Sequence, residues 1–575
     1  MIHHLKINDV FKQYTLDQDK IMPPEQTVAV MKNRLERLNL RILEKTVRID
    51  NGRLDIPVYF SICGPDAMAV TGTKKQMGKG ATPQQAEASA VMELAERFSF
   101  FSFCNQPENF ITDRYRNLKK EALPFDMIAK SVHDDRREQE TARKIFENVE
   151  QKWTWGFHLA RKEKVLIPFD WFYTINEFNG PSAGNCAEEA LLQGICEIVE
   201  RHVSALVSQG KLPVPGIRPE SATDAMVVEM LGKYRQAGIR LFVSDLTLDM
   251  GIPTISVLAY DPATFPARSE IIWTAGTTPN PQKALSRALT EVAQLAGDFN
   301  TEANYVASGL PKFVRLDEAR YITDPVSYRS IHELPDLSDN NLRVEIENCL
   351  AALSGKGMEV LVIDTTHPDL QIPAFYTIIP GAHFRERAVG TSVGMFSAKI
   401  VTEKNPPETA LAELKKMEQL LPDKYYLKFY QGVCLLQMEK QDQALACFQE
   451  AMALEPNEQD KASIYSYMGV CLKEMGAYHD ALDVLAKGAG LDPERTDIHN
   501  LMGFCFFKLK KHQEAIDCFQ KVLRLNPDSA IDYANIGSNY RELGDRNKAL
   551  RYYAMALELD PTIEFARENL EKLKG

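Results

Sequence analysis

The chain has 575 residues, a length that implies two to four domains and ample material for a large core. With 45% hydrophobic and 25% charged residues it has the composition of an ordinary folded protein, which excludes collagen-like, low-complexity and wholly disordered chains. Lys and Arg number 67 against 79 Asp and Glu, and the resulting net charge of -12 offers no global field to nucleic acid phosphates or anionic lipid, so neither a nucleic-acid partner nor a membrane is expected.

The N-terminal segment MIHHLKINDVFKQYTLDQDK has no apolar h-region and no small-residue cleavage site, and no later apolar run approaches the ~18 residues of a membrane span; a cytoplasmic protein is expected. Residues 72–81, GTKKQMGKGA, superficially look like a phosphate-binding loop but miss its pattern. Five residues rather than four separate Gly72 from Gly78, and Gly80 stands after Lys79 where Ser or Thr belongs. A glycine-rich turn entering a helix still offers backbone N–H groups to phosphate. The 10 cysteines are scattered without a Cys-x-x-Cys pair, which favours buried reduced thiols over a zinc site or a disulfide framework.

Three helical stretches carry carboxylates in an unusual arrangement. At about 100° per residue, a helix that buries one stripe keeps its charges on the other. In the first stretch Ala86, Ser89, Glu93, Glu96 and Arg97 fall within about 100° of arc, opposite Val91, Leu94, Ala95 and Phe98. In the second, Glu189, Gln193, Glu197 and Glu200 fall within about 80°, flanked by Arg201 and opposite Leu191, Ile195, Ile198 and Val199. In the third, Arg287, Glu291 and Gln294 fall within about 60°, opposite Leu285, Leu289 and Val292. Glu-x-x-Glu-Arg occurs at 93–97 and again at 197–201. Solvated faces usually intersperse Lys and Glu four apart, whereas these stripes hold Glu, Arg, Gln, Ser and Ala. Carboxylates concentrated in this way repel one another unless cations neutralise them. The pattern points to a cleft for a hard divalent metal, with oxygen-only ligands favouring Mg2+, and to an anion for the arginines; a triphosphate bridged to Glu through Mg2+ satisfies both. Three ordinary amphipathic helices with solvated acidic faces are the alternative.

Strand-like runs such as LFVSD and TISVLAY alternate with long helical patterns over the first 400 residues, which predicts an α/β (α+β) domain. An internal echo lies within it. A helix followed by LFVSDLTLDMGIPTISVLAYDP and a later helix followed by VLVIDTTHPDLQIPAFYTIIPG share strand, Asp-x-Thr turn, Ile-Pro and strand, predicting a duplicated helix-plus-hairpin unit. The Pro406-Pro407 pair in KIVTEKNPPETALAEL sets a boundary near 404, giving domains of 1–404 and 405–575. Beyond it Pro422, Pro456, Pro493, Pro527 and Pro561 recur 34, 37, 34 and 34 residues apart, and Gly432, Gly469, Gly503 and Gly537 and Ala444, Ala481, Ala515 and Ala549 keep the same step. These segments resemble the tetratricopeptide repeat and predict an all-α solenoid of about four repeats plus a closing helix. Its role is either to recruit a partner's peptide segment on the concave face or to build a homodimer contact or support the upstream domain.

The upstream motifs resemble the YcaO family of ATP-dependent enzymes that activate peptide backbone amides. GKGATPQQAEASAVMELAERFS, SAGNCAEEALLQGICEIVERH and NPQKALSRALTEVAQLAGDF are similar to its three signatures, DKIMPPEQT is similar to its short nucleotide-contacting segment, and the Asp-x-Thr-x-Asp-x-Gly-Ile-Pro stretch at 245–253 also fits. The resemblance spans about residues 18–400 and implies ATP and Mg2+ as cofactors. It implies Glu93, Glu96, Glu189, Glu200 and Glu291 as Mg2+ ligands, and Lys20, Thr27, Ser89, Ser182, Asn185, Glu197, Arg201 and Arg287 around the nucleotide. Glu93, Glu200, Arg201 and Arg287 are then the residues closest to the chemistry. Azoline-forming members end in a Pro-rich tail, whereas this chain ends LEKLKG, so azoline formation is the less expected outcome. Other branches make thioamides with sulfide and a partner protein, or are associated with the radical enzyme RimO, which methylthiolates a ribosomal protein; the residues do not choose between these clients. The competing reading is a non-catalytic ATP-binding adapter that recruits a client through its repeats.

His202, His383 and the pair Cys186 and Cys196 are further candidates. His202 lies about 180° around the helix from Glu200, which favours a packed ring over a general base. His383, in PGAHFRER after the strand FYTII, sits where a loop meets a strand end and is a candidate for contact with substrate. Cys186 and Cys196 border the second stripe, and packing is favoured there over a persulfide-carrying role.

Overall fold

The computed structural model describes residues 5–16, 18–132, 139–301, 305, 309–385 and 391–574. Two compact units are present, one holding most of the chain up to residue 391 and the other holding residues 392–575 with the helix Gln139–Phe146.

The first unit is built on three sheets. β1 (Leu43–Arg48), β2 (Val58–Cys63) and β3 (Lys75–Lys79) form an antiparallel meander. β4 (Ile111–Arg114), β5 (Glu150–His158), β6 (Glu163–Pro168) and β7 (Pro181–Ala183) open a second sheet. β8 (Gly216–Ile217), β9 (Arg240–Asp245), β10 (Thr254–Tyr260), β11 (Ile272–Thr277) and β12 (Tyr328–Arg329) make a third, ordered β11-β10-β9-β8-β12. β13 (Leu361–Asp364) and β14 (Ala374–Ile378) then return to complete the second sheet as β4-β5-β13-β14-β7, with β6 on β5.

The echo expected from the sequence is present in atomic detail. Helix Ala225–Gln236 precedes the β9–β10 hairpin, and helix Leu342–Ser354 precedes the β13–β14 hairpin. In one turn the Thr247 N–H donates to Asp245 Oδ1 (2.9 Å) and Thr247 Oγ1 accepts from the Thr254 N–H (3.2 Å). In the other the Thr366 N–H donates to Asp364 Oδ1 (3.0 Å) and Thr366 Oγ1 accepts from the Ala374 N–H (3.0 Å). Asp and Thr two apart each satisfy a turn amide, which is why both hairpins need that spacing.

Three times a strand runs directly into a long helix: β3 into Pro83–Cys104, β7 into Ala187–Gly210 and β11 into Pro281–Ala296. Thr82, Cys186 and Asn280 cap them, each side chain accepting a first-turn N–H. Glycines let helix and strand approach. A Cβ on Gly78 of β3 would lie 2.0 Å from Ala90 N, and one on Gly276 of β11 2.3 Å from Ala284 O. In the middle case the glycine is on the helix, where a Cβ at Gly194 would lie 2.2 Å from Thr377 Oγ1 of β14. The apolar face of each helix is thereby pressed onto its surroundings: Val91, Leu94, Leu191, Ile195, Leu285 and Leu289 are all fully buried. Their carboxylate stripes are turned the other way.

The second unit is helical. It includes Val393–Lys404, which the sequence boundary near 404 placed upstream; Gly394 in this helix approaches Tyr426 and Leu421 so closely that a Cβ would lie 2.5 Å from the tyrosine hydroxyl. After Pro407–Leu420 come four antiparallel pairs, Tyr425–Gln437 with Gln441–Ala453, Glu458–Glu474 with Tyr478–Leu491, Thr496–Lys508 with His512–Leu525, and Ala530–Glu542 with Arg546–Leu559, and then the closing helix Glu564–Lys574. Every repeat uses one contact: Gly432 meets Phe448, Gly469 meets Leu485, Gly503 meets Phe519 and Gly537 meets Tyr553, each partner 16 residues on, with a hypothetical Cβ at 2.5–2.9 Å. The recurrent Ala444, Ala481, Ala515 and Ala549 are fully buried at the same crossings. Between repeats, Tyr425 OH, Ser466 Oγ and Asn500 Nδ2 donate in turn to Asp460, Asp497 and Asp532 of the next repeat's first helix. Among the described residues no helix is long and apolar enough to cross a membrane.

Candidate nucleotide and metal site

The three stripes face one cleft of about 330 Å3, entirely within the first unit. Ser89, Glu93, Glu96 and Arg97 come from the first helix, Glu189, Gln193, Glu197, Glu200 and Arg201 from the second, and Arg287, Thr290, Glu291 and Gln294 from the third. The segment before the first helix of the chain, Pro24–Leu38, adds Gln18 and Lys20, that helix adds Thr27, and β3 adds Met77 and Lys79. The alternative of three separate solvated faces is thereby overturned.

The cleft is not a bare acidic bowl. Six carboxylates in its wall (Glu93, Glu96, Glu189, Glu197, Glu200, Glu291) are interleaved with five cations (Lys20, Lys79, Arg97, Arg201, Arg287). Lys79 Nζ lies 2.5 Å from Glu291 Oε2. Arg97 Nε donates to Glu93 Oε1 (3.0 Å) and lies 3.6 Å from Glu96 Oε1. Arg201 Nη1 is 3.9 Å from Glu200 Oε1, whose partner oxygen accepts the Thr277 N–H at 3.1 Å. Glu189 accepts the Ile21 N–H (2.7 Å) and both the N–H and Nδ2 of Asn185 (3.0 Å each), with Lys20 Nζ 3.8 Å away. Thr27 Oγ1 donates to Asn185 Oδ1 at 3.0 Å, so the helix Pro24–Leu38 is tied to the turn that leads into the second helix.

These charges stay in tension. Burial first, then Glu93, pushes Glu96 well above the usual carboxylate range. Burial raises Glu197 as well, and burial with the neighbouring Glu291 pushes Glu200 up to about 7 despite Arg201. Glu291 is the exception: burial acts to raise it, but Lys79 and Arg201 outweigh burial and hold it below its ordinary value.

The residues fit a metal-bridged polyphosphate on two counts. All candidate ligands are carboxylate oxygens, two of them held in a state that a divalent cation would relieve. The Arg287 Nε–H is buried without a hydrogen-bond partner among the described residues while Nη1 donates to Gln193 Oε1 (2.9 Å), so the guanidinium has a donor to offer an anion. Among the described residues no three acidic, His or Cys side chains are gathered as a ready-made metal cluster.

Of the expected site residues, Ser182 stands apart. It lies in β7, fully buried, with Oγ 3.5 Å from the Phe375 carbonyl and facing Gly194 rather than lining the cleft. Lys79 and Gln18 were not anticipated. Lys79 shares the face of β3 with Met77 by strand alternation, a signal the near-miss to a phosphate loop obscured. His202 is buried and its Nδ1 accepts the His383 N–H (3.0 Å), the two rings lying 5.3 Å apart. Cys186 Sγ caps the second helix, and burial pushes its thiol up to about 12, which disfavours a thiolate carrier.

Comparisons with known proteins show the family of the chain. Residues 77–383, more than half of the chain, match the family described as YcaO cyclodehydratase, ATP- and Mg2+-binding, and the chain belongs to that family. Residues 496–529 and 533–563 match tetratricopeptide repeats. An uncharacterized protein of Methanothermobacter thermautotrophicus is 27% identical over 381 residues, 62% of this chain and 93% of that one. The ribosomal protein S12 methylthiotransferase accessory factor YcaO of Escherichia coli is 28% identical over 241 residues, 38% of this chain and 40% of its own. Among solved structures, a heterocyclase in complex with substrate and cofactor superposes with a TM-score of 0.56 at 23% identity, over 68% of this chain and 56% of that one, and shares the fold.

Proposed function

We propose that this protein is a cytoplasmic enzyme that uses ATP and Mg2+ to activate a backbone amide in a peptide or ribosomal protein client. A nucleophile adds to the amide carbonyl, the resulting oxyanion takes the γ-phosphoryl group from ATP, and phosphate then leaves with the former carbonyl oxygen. Sulfide as nucleophile gives a thioamide, and the likeness to the Escherichia coli accessory factor supports a role beside a RimO-type methylthiolating enzyme. The observation that carries the reading is the convergence of the three stripes on one cleft, with the buried Arg287 Nε–H left for an anion.

Mg2+, when bound, neutralises phosphate charge and makes the phosphoryl group transferable. Glu93, Glu96, Glu189, Glu200 and Glu291 are the residues that would hold it. Lys20, Thr27, Ser89, Asn185, Glu197, Arg201 and Arg287 line the same cleft and would surround the nucleotide, where the two arginines would pair with phosphate oxygens. The repeats deliver the client, and a homodimer contact is their alternative use.

Mass spectrometry of candidate clients after incubation with ATP, Mg2+ and sulfide tests the proposal, read together with phosphate release. Client-dependent release and a mass change on the client are expected. ATP binding without client-dependent release would instead make the protein an adapter that recruits a client through its repeats.

A further inference from the structure

A second cavity, of about 350 Å3, lies in the same unit at the C-terminal end of the Glu93 helix. Its origin is in the sheet. β6 pairs with one edge of β5 from Trp153 to His158, so β4, which pairs as far as Trp153, and β13, which pairs at Phe157 and His158, both occupy the other edge. Between them residues 154–156 have no strand partner on that edge among the described residues, and the cavity opens there beside Thr154, Trp155 and Asp364.

Two side chains in its wall are unfinished. Ser99 Oγ and Thr365 Oγ1, on residues 0% and 1% exposed, have no hydrogen-bond partner among the described residues. A buried hydroxyl left so is costly, because it has given up its hydrogen bonds to water without replacement. The remaining wall is aromatic. Phe103 and Trp155 line it, with Lys164 Nζ 4.4 Å from the indole centroid. His367 accepts the N–H groups of Asp369 and Leu370 on Nδ1, which places its proton on Nε2 as a further donor.

We propose that this cavity binds a flat aromatic group with a hydrogen-bonding edge, carried by the client polypeptide. The aromatic walls take the ring faces and the two hydroxyls take the polar edge. The client is the favoured source because Glu96, Ser99 and Phe103 stand at i, i+3 and i+7 on one helix face, so the stripe that lines the cleft runs on into the cavity wall. From Glu96 to Phe103 is about 10 Å along the helix axis, the length of about three residues of extended chain. An aromatic residue about three positions from the modified amide therefore engages the cavity while the amide lies in the cleft. This inference rests on the amide-activation reading for the source of the ring, whereas binding of the ring itself does not depend on it.

Intrinsic fluorescence provides the test. Trp153, Trp171 and Trp273 are buried and Trp155 is half-buried, so acrylamide quenching reports on Trp155. With the full chain and no ATP, N-acetyltyrosinamide should protect Trp155 saturably while N-acetylleucinamide does not. Thr365→Val, which removes an unpartnered hydroxyl, should keep or raise the melting temperature and weaken tyrosinamide binding about fivefold. Protection by adenosine in place of tyrosinamide would overturn the client assignment. Absence of protection by any probe, or unchanged binding in Thr365→Val, would overturn the site. An Mg2+-ATP titration of the same sample reads the cleft separately, so the failure of one proposal is distinguished from the failure of the other.

Discussion

Lys79 Nζ, on the last residue of β3, lies 2.5 Å from Glu291 Oε2 on the helix that carries Arg287. Both side chains are largely buried, at 20% and 15% exposure, and the ammonium supplies part of the positive charge that the carboxylate stripes require. Lys79→Met removes the ammonium in contact with Glu291 and leaves Arg201 and Arg287 to oppose its burial. Thermal unfolding without ligand should show a loss of about 1–3 kcal/mol, and Mg2+-ATP should restore more stability to the variant than to the parent. Equal stabilisation of both would mean that Lys79 and the cation do not serve the same charge.

Glu200→Gln keeps the shape of a wall residue and removes one charge from the densest stripe. ATP hydrolysis should fall by orders of magnitude with the fold intact, while the ligand-free melting temperature rises because repulsion from Glu291 is relieved. Near-normal turnover would remove Glu200 from the site.

Burial, with the neighbouring Glu291, raises Glu200 from 4.5 to about 7. A carboxyl raised on folding binds its proton more tightly in the native state, so its contribution to stability is full below the unfolded value of 4.5 and is lost as pH rises through about 7. Ligand-free protein should therefore lose stability across that window while affinity for Mg2+-ATP grows, because proton and cation compete for the same oxygens. Melting curves and titrations across the window check both trends, and Glu200→Gln should flatten them.

The repeats offer a separate lever. A side chain at Gly503 meets the Phe519 ring, with a Cβ 2.7 Å from its nearest carbon. Gly503→Val should destabilise the helical unit by about 1–3 kcal/mol. Since every cleft residue lies in the other unit, the affinity for Mg2+-ATP should be unchanged. Client modification should fall if the array recruits the client, and modification at the full rate would make the array structural.

Much of this was legible in the residues because helical period is a strong signal. The stripes through Glu93, Glu197 and Arg287, the recurrence of the repeat glycines and alanines and the two Asp-x-Thr hairpins all follow from local spacing, whereas the ring or leucine that each repeat glycine meets is seen only in the structure. What spacing cannot show is which strand a helix lies against. Lys79 joins the site only because β3 pairs with β2 and presents that face, and the interleaving of five cations with six carboxylates depends on how three helices remote in sequence are brought together. Ser182, adjacent to the second stripe in sequence, is covered by Gly194 and β14, a consequence of sheet order that no local pattern records. The Pro406-Pro407 break puts the helix Val393–Lys404 upstream, whereas its close approach to Tyr426 groups it with the repeats.

The central claim is that the three helices form one site in which carboxylates and arginines share a metal-bridged nucleotide. Calorimetric titration of the full chain with ATP, in Mg2+ and again in excess chelator, tests it most directly. Saturable one-site binding in Mg2+ that disappears with chelator, and that weakens strongly in Arg287→Met, is the predicted result. Equal affinity in excess chelator, or unchanged binding in Arg287→Met, would contradict it.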